Sequence, residues 1–472
     1  MANLPQYPTL SANTQKPKRY FKAIRRFKEV ALNYTKEGSE LNENQREPED
    51  FEAMLRKFLS GQPLDPEQLA KAAGLPIDPS ALQDMLAQIS AAIVPGNQTE
   101  GVNWNLVQTQ ARKISAKNTV AVPESVGRSI NTSTATGNLW LDEATDLGPI
   151  SIEPKLLSRE LWVADSIGLF KDLATPVAER MAVALTENFQ ENLPEEFAGM
   201  LSQASGIMKS AGSVMFAMQL GEALGKLSEE VLSGGDIGLP IFQEARPAFV
   251  AQNLANFVNS LEEEADQVYI YLAVRELAHS RLFKHSKWLR GYIVNLITSY
   301  ASEITIDNSR IVELSEGFDP AEVGNIQKAL ESGALIAPRT ESQTRALERI
   351  ETVLALIEGW VDCVTQAATK RLPRSLAIAE TMRRKRASIG PAERTFLTLI
   401  GLELRPRKIR EASAMWQQVT DAVGLEKRDA IWSHPDLIPT EQDIKDPAKL
   451  IERTLKQNPE DEIDAALRDL LG

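Results

Sequence analysis

The stretch YIYLAVRELAHSRLFKHSKWLRGYIVNL, residues 269–296, is the most informative part of this chain for its fold. Its apolar residues recur every three or four positions, the spacing that places side chains on one face of an α-helix. The density of apolar residues predicts a helix that is amphipathic to buried, although it carries the charged residues Arg275 and Glu276. The chain has three histidines, and two of them, His279 and His285, fall in this stretch. Chemistry that depends on histidine is therefore sought here first.

Helical periodicity also dominates outside this stretch, and signals for β-strands are few. Predicted helices include 138–146, 246–260 and 341–370, whereas the sparse β-type runs lie chiefly around 304–306 and 311–312. The sequence therefore predicts a mainly α protein, α+β at most. Four parts are predicted along the chain: a disordered or loosely attached tail over 1–48, a small helical subdomain over 49–96, a mainly helical domain over 97–456, and an acidic helix or tail over 457–472.

The composition restricts the partners and the compartment that we expect. The 472 residues carry a formal net charge of −13, which argues against nucleic acid or an anionic membrane surface as the general partner. Cys363 is the single cysteine, so neither an intrachain disulfide nor a thiolate zinc cluster can form. The sequence has no apolar run of about 18 residues and no signal-peptide core, so we expect a cytoplasmic protein without a membrane span.

One segment runs against the overall charge. Between Lys370 and Arg410 the chain has 12 Lys or Arg residues and three Glu residues. Such a segment can bind an anionic substrate, phosphate or nucleic acid, or it can balance the acidic remainder of the protein. Phe396 is its single aromatic residue, so the side chains that stack on single-stranded nucleic acid are missing. We therefore favour charge balance over nucleic-acid binding.

The central stretch contains an incomplete metal-binding pattern. The metalloprotease pattern H-E-x-x-H places two histidine ligands one helical turn apart beside a glutamate general base, and a longer form adds a third histidine. Residues 275–285 read R-E-L-A-H-S-R-L-F-K-H, so Glu276, His279 and His285 match the longer form. Arg275 stands where the first histidine belongs, and a guanidinium cannot ligate zinc. His285 reaches the site only if the helix breaks just before it.

The same residues admit two other interpretations. Glu276 and His279 are three positions apart on one helix face, which is the spacing of ligand pairs in carboxylate di-metal helix bundles. In those bundles the glutamate is a metal ligand rather than a base. This spacing is also common in helices that carry an ordinary ion pair and a hydrogen-bonded histidine. Spacing alone leaves a metal site and a structural polar cluster both open.

A later helix supplies a carboxylate that could complete a metal site. In the segment LALIEGWVDCV, Glu358 and Asp362 are four positions apart and share a helix face. Glu358 lies in an apolar run, so its carboxylate is predicted to be buried and needs a cation or hydrogen-bond donors. That cation can be a metal held with His279, or it can be the guanidinium of Arg275 or Arg281.

Several blocks of sequence, taken in order, resemble a known family. They include GVNWNLVQTQARK at 101–113, MFAMQLGEALGKLSEEVLSGGDIGLP at 215–240, YLAVRELAHSRLFKHSKWLR at 271–290 and RDAIWSHPDLIPT at 428–440. The family they resemble is a bacterial one of zincin-like proteins, labelled as hydrolases or zinc-dependent metalloproteases. The resemblance spans roughly residues 50–450 and implies a zincin-like core with large helical additions.

The resemblance leads to two hypotheses about function. In the first, the protein is a peptidase-like hydrolase in which Zn²⁺ is held by His279 with His285, Glu358 or both. Glu276 then acts as the general base toward metal-bound water. In the second, the protein is a catalytically inactive zincin-like scaffold that binds a peptide or protein partner, and Arg275 takes the place of the metal. Metal content distinguishes the two hypotheses.

Overall fold

The computed structural model describes residues 101–192, 198–261, 263–305, 337–387 and 407–456. All of these residues belong to one compact unit. The predicted tail over 1–48, the predicted helical subdomain over 49–96 and the predicted acidic segment over 457–472 lie outside the described residues.

Helices account for most of the described chain, which confirms the prediction of a mainly α protein. Within these ranges, no helix combines the length and the apolar character needed to cross a membrane. In chain order, the helices and strands are α1 (Trp104–Ser115), α2 (Glu124–Leu141), β1 (Lys155–Leu157), α3 (Arg159–Asn192), α4 (Ala198–Glu230), β2 (Ala248–Val250), α5 (Ala251–Asn259), α6 (Ala265–His285), α7 (Trp288–Ala301), α8 (Glu341–Thr369), α9 (Ser375–Ala387), α10 (Ile409–Ala430), α11 (Glu441–Lys445) and α12 (Ala448–Lys456).

The two strands form a small parallel sheet, in which Leu156 of β1 lies opposite Phe249 of β2. β2 falls inside the segment 246–260 that the periodicity assigned to a helix. Its three buried apolar residues fit either a strand or a helix, and the pairing with β1 decides between them. The β signal at 304–306 forms no strand at 304–305, and the rest of it, with 311–312, lies outside the described residues.

Helix α2 begins well before the helix predicted at 138–146. Much of α2 consists of Ser, Thr and Asn, so its buried face does not stand out by hydrophobicity. That face includes Ser133, Thr134 and Gly137, and Gly137 lies against Val274 of α6. Small side chains therefore bring α2 close to α6, and this kind of contact leaves little periodic apolar signal in the sequence.

Helix α6, the quoted stretch, is the buried centre of the fold. Every residue from 271 to 282 is buried, and α2, α8 and α9 all pack against this helix. Because α6 buries all of its faces, it also buries its charged residues Arg275, Glu276 and Arg281. Buried charges need partners of opposite charge or hydrogen bonds, so the packing of α6 depends on polar contacts as well as apolar ones.

A second buried carboxylate, that of Asp429, also fixes the position of α8. Asp429, at the end of α10, accepts hydrogen bonds from Thr145 Oγ1 (2.6 Å), Asp146 N (2.8 Å), Trp360 Nε1 (2.9 Å) and Arg428 Nε (2.7 Å). The bonds join α10, the loop after α2, and α8. They hold the middle of α8, one of the helices that pack against α6, in a defined position.

We expect Gly359→Ala to destabilise the protein because α8 and α10 touch at this residue. A Cβ on Gly359 would lie 2.6 Å from Ala412 Cβ and 2.8 Å from the Ser413 backbone nitrogen. Such overpacking costs about 1–3 kcal/mol, which exceeds the gain of about 1 kcal/mol that alanine brings to a helix. Urea unfolding measures the change in the free energy of unfolding.

Gly291→Ala is the matched control, because Gly291 is also helical but a Cβ there would meet nothing within 4 Å. It should leave the free energy of unfolding unchanged or raise it by up to about 1 kcal/mol. Equal stability of the two variants would contradict the close contact between α8 and α10.

Candidate functional site

The carboxylate of Glu358, in the middle of α8, is fully buried and is the centre of a polar cluster. Its Oε2 binds Nη2 of Arg275, and its Oε1 lies 2.9 Å from Arg386 Nη2 and 3.1 Å from His279 Nε2. Burial by itself raises the pKa of Glu358, but the charges of Arg386 and Arg275, followed by His279, lower this pKa to about 2. The carboxylate is therefore ionised, and both of its oxygens are engaged.

Arg386 extends the cluster from Glu358 to the loop before β2. Its Nη1 contacts the backbone oxygen of Asp236 and lies 3.3 Å from Asp236 Oδ1. Lys385 Nζ lies 3.6 Å from Asp236 Oδ2, which also accepts a hydrogen bond from the Leu232 backbone (2.9 Å). Burial opposes ionisation, but Lys385 and Arg386 hold the pKa of Asp236 well below its usual range.

His279 is engaged through the nitrogen that a metal would use. Its ring is buried, and Nε2 points at the Glu358 carboxylate. Burial holds the pKa of His279 below its usual value, although the Glu358 charge opposes this shift. The other ring nitrogen, Nδ1, lies 3.1 Å from the backbone oxygen of Arg275, so both nitrogens of the ring face hydrogen-bond acceptors.

Glu276 binds a backbone amide with each of its two carboxylate oxygens. Its Oε2 accepts a hydrogen bond from the Gly235 backbone N–H (2.8 Å), and its Oε1 accepts one from the Ala248 backbone N–H (3.0 Å). Burial raises the pKa of Glu276 to about 7, even though the hydrogen bonds from the Ser233 side chain and from these two amides lower it. Glu276 thus ties α6 to both ends of the loop that precedes β2.

This loop, residues 233–247, lies directly on the cluster. A Cβ on Gly235 would be 2.5 Å from His279 Cβ, and a Cβ on Gly238 would be 2.7 Å from Glu358 Oε1. Gly238 also has a φ of 73°, a conformation that glycine adopts without strain. A cavity of about 10 Å³ remains beside His279 and Phe242, which is room for about one water molecule.

The structure brings four of the residues singled out from the sequence into this region: Arg275, Glu276, His279 and Glu358. His285 does not join them, because α6 continues without a break to His285, which is exposed at the end of the helix.

Two further residues singled out from the sequence have other partners. Asp362 lies one turn further along α8 and accepts bonds from Gln366, Arg383 and Ser413. Arg281, considered as a partner of Glu358, instead contacts Asn138, Asp142 and Leu147.

Sequence reasoning missed Arg386 and Asp236. Arg386 belongs to the run Arg383–Arg386, in which every residue is basic, so charge alone does not show which residue enters the core. The position of Arg386 along the helix shows that it enters the core, because Ile378, Met382 and Arg386 follow one another at four-residue spacing on a buried face. Asp236 lies in a glycine-rich loop, where no periodic signal exists.

Comparison with known proteins identifies relatives at the level of family and fold. The sequence profile of the zincin-like metallopeptidase family matches residues 102–451. No curated protein matches the chain. Among solved structures, a protein from Chloroflexus aurantiacus, described as a candidate hydrolase with a novel fold, is similar with a TM-score of 0.50 and 18% identity. The match covers 76% of this chain and 100% of that one, and at this identity it shows a shared fold.

The zinc ion that this family implies does not fit the residues as they are arranged here. Within the described ranges, no three His, Cys, Asp or Glu side chains are placed to hold a metal ion. The guanidinium groups of Arg275 and Arg386 both bind the carboxylate that zinc would need. Glu276, the residue in the position of the general base, is bound to backbone amides.

We expect Glu276→Gln to change how stability depends on pH. The folded state raises the pKa of Glu276 from 4.5 to about 7, so the protonated form stabilises the protein below pH 4.5 and this contribution is lost as the pH rises to 7. Gln cannot ionise. Between pH 5.5 and 8.5 the variant should therefore gain about 2 kcal/mol relative to the parent, at about 1.4 kcal/mol per pKa unit.

Urea unfolding of both proteins across this pH range measures the difference in the free energy of unfolding. Asp236, His279 and Glu358 titrate in both proteins, so their contributions largely cancel. Glu124→Gln is the control, because the Glu124 side chain is 94% exposed and meets water in the folded and unfolded states. A difference between the Glu276→Gln variant and the parent that does not vary with pH would contradict the raised pKa of Glu276.

Proposed function

This chain belongs to the zincin-like metallopeptidase family, and we propose that it is a catalytically inactive member, a scaffold that binds a peptide or protein partner. The observation that supports this proposal best is the double engagement of Glu358 by Arg275 and Arg386. Two guanidinium groups supply the positive charge and the donors that a buried carboxylate would otherwise take from a metal.

The charges around Glu358 also disfavour a divalent ion. Arg275, Lys385 and Arg386 face the carboxylates of Glu358 and Asp236, so three cationic side chains already surround these two carboxylates. At about 4 Å, two like unit charges repel by roughly 4 kcal/mol at an effective dielectric constant of 20, and a divalent ion doubles this value for each guanidinium. A metal ion therefore competes poorly for the Glu358 carboxylate while Arg275 and Arg386 stay bound to it.

The surroundings of His279 support the same proposal. The cavity beside this ring holds about one water molecule, so a peptide chain has no room next to it. The loop that covers the ring is held by Glu276 through Gly235 and Ala248. We expect a partner to bind another surface of the scaffold.

Two observations favour a second candidate, the peptidase-like metal-dependent hydrolase. His279 Nε2 and Glu358 Oε1 are 3.1 Å apart, close enough to share one metal ion. The pKa of Glu276, raised by burial to about 7, also suits a general base at neutral pH. This function requires Arg275 and Arg386 to withdraw from Glu358, and His285 has no part in it.

Zinc binding distinguishes the two candidates. We expect the parent protein, treated with chelator and then dialysed against micromolar zinc, to retain none by elemental analysis. Arg275→His completes the H-E-x-x-H pattern but leaves Arg386 on Glu358, so it should bind zinc weakly. The double variant Arg275→His with Arg386→Met removes both guanidinium groups and should bind about one zinc per chain.

Two controls make the result specific. His279→Ala added to the double variant should abolish zinc binding, because it removes one of few ligands. Circular dichroism reports whether each variant keeps its helices. A parent protein that holds one zinc per chain, and loses it with His279→Ala, would overturn the scaffold proposal and support the hydrolase.

A further inference from the structure

A second cavity lies among α8, α9 and α10, one turn along α8 from Glu358. Its volume is about 340 Å³, compared with about 10 Å³ for the cavity beside His279. Sites for small molecules typically measure about 300–1,000 Å³, so this cavity is large enough for one. Its described walls come from three helices, which give a site a more rigid frame than loops do.

The inner wall of this cavity contains a carboxylate that is already neutralised. Asp362 Oδ2 accepts hydrogen bonds from Gln366 Nε2 (2.8 Å), Ser413 Oγ (3.0 Å) and Arg383 Nη2 (3.2 Å). Three donors converge on this one oxygen, so the charge of Asp362 is balanced by the protein itself. The inner wall therefore does not repel an anion, and its amide and hydroxyl groups can bond polar groups of a ligand.

The outer wall carries Arg410, whose charge is only loosely matched, and Arg383, which already pairs with Asp362 at 3.2 Å. Arg383 and Arg410 both face Glu380, at 3.9 Å and 3.5 Å, whereas charged hydrogen bonds measure about 2.7–2.9 Å. Arg384 reaches the same carboxylate at the shorter distance of 3.1 Å. Each guanidinium has five N–H donors in a planar fork that matches a carboxylate or a phosphate.

From these walls, we propose that the cavity binds a small organic anion. Its carboxylate or phosphate group is held between Arg383 and Arg410, and its hydroxyl groups face Gln366 and Ser413. The Cys363 thiol also lines the cavity, but burial raises its pKa to about 11, so the thiol stays protonated and is only part of the wall. The site is independent of the Glu358 cluster and of whether the protein is an enzyme.

The proposal assigns a role to part of the basic segment. Arg383 and Arg410 stand on α9 and α10, within the stretch from Lys370 to Arg410 in which positive charge is concentrated. Charge balance alone would let these side chains spread over the surface. Here they meet at one cavity that also has neutral polar walls, as a ligand site requires.

Isothermal titration calorimetry with glycerol 3-phosphate and with glycerate tests the proposal on the full chain. These probes combine hydroxyl groups with a phosphate or a carboxylate, and the stronger binder shows which anionic group the site prefers. We expect at least one to bind one per chain with a dissociation constant below about 1 mM. Glycerol, which has no charge, should not bind.

Two variants locate the site without disturbing the core. Arg410→Gln removes one guanidinium, whose side chain is 71% exposed, and should weaken binding about tenfold or more. Ala414→Leu narrows the cavity with a good helix former and should weaken binding without changing any charge. Arg384→Gln is the matched control, because it removes the same charge next to Arg383 from a residue outside the cavity wall, and it should leave binding intact.

Three results would overturn the proposal. The first is that neither probe binds the parent protein below about 1 mM. The second is that Arg384→Gln weakens binding as much as Arg410→Gln, which would indicate general attraction to the basic surface. The third is that inorganic phosphate binds as tightly as glycerol 3-phosphate, which would mean that the cavity binds an adventitious ion only.

Discussion

The carboxylate of Glu358 is a buried negative charge around which the surrounding helices are arranged. An isolated carboxylate in the protein interior costs several kcal/mol, so a fold that buries one must bring cations to it. Here the partners come from two other helices, Arg275 and His279 from α6 and Arg386 from α9. The need to neutralise Glu358 therefore fixes how these three helices meet, and through Arg386 and Asp236 it also positions the loop that covers them.

A metal and an arginine pair solve the same electrostatic problem in different ways. A zinc ion neutralises its ligands and keeps a coordination position for water or substrate. A guanidinium neutralises a carboxylate through hydrogen bonds in fixed directions, and it offers no such position. With Arg275 and Arg386 on Glu358, and with Glu276 holding the loop, this polar cluster is a structural element of the domain.

The polar cluster also explains why the loop that covers it contains glycines. The polypeptide backbone approaches His279 and Glu358 so closely at Gly235 and Gly238 that a side chain on either residue would overlap the cluster. Glu276 then binds the loop through its amide groups. The polar cluster, the loop and the central helix are thus mutually dependent, and together they leave space for about one water molecule.

The mainly helical fold, the buried helix α6, and the burial of Glu358 with its need for a cation could all be predicted from the sequence. These features are local, because helical periodicity and an acidic residue in an apolar run are visible within one segment. The sequence also indicated that Arg275 weakens the case for a metal. Tertiary packing was needed to establish that Arg275 and Arg386 both bind Glu358, and that His285 lies apart at the exposed end of α6. Ion pairs between residues 83 positions apart, such as Arg275 and Glu358, depend on how helices pack, and local sequence patterns do not encode that packing.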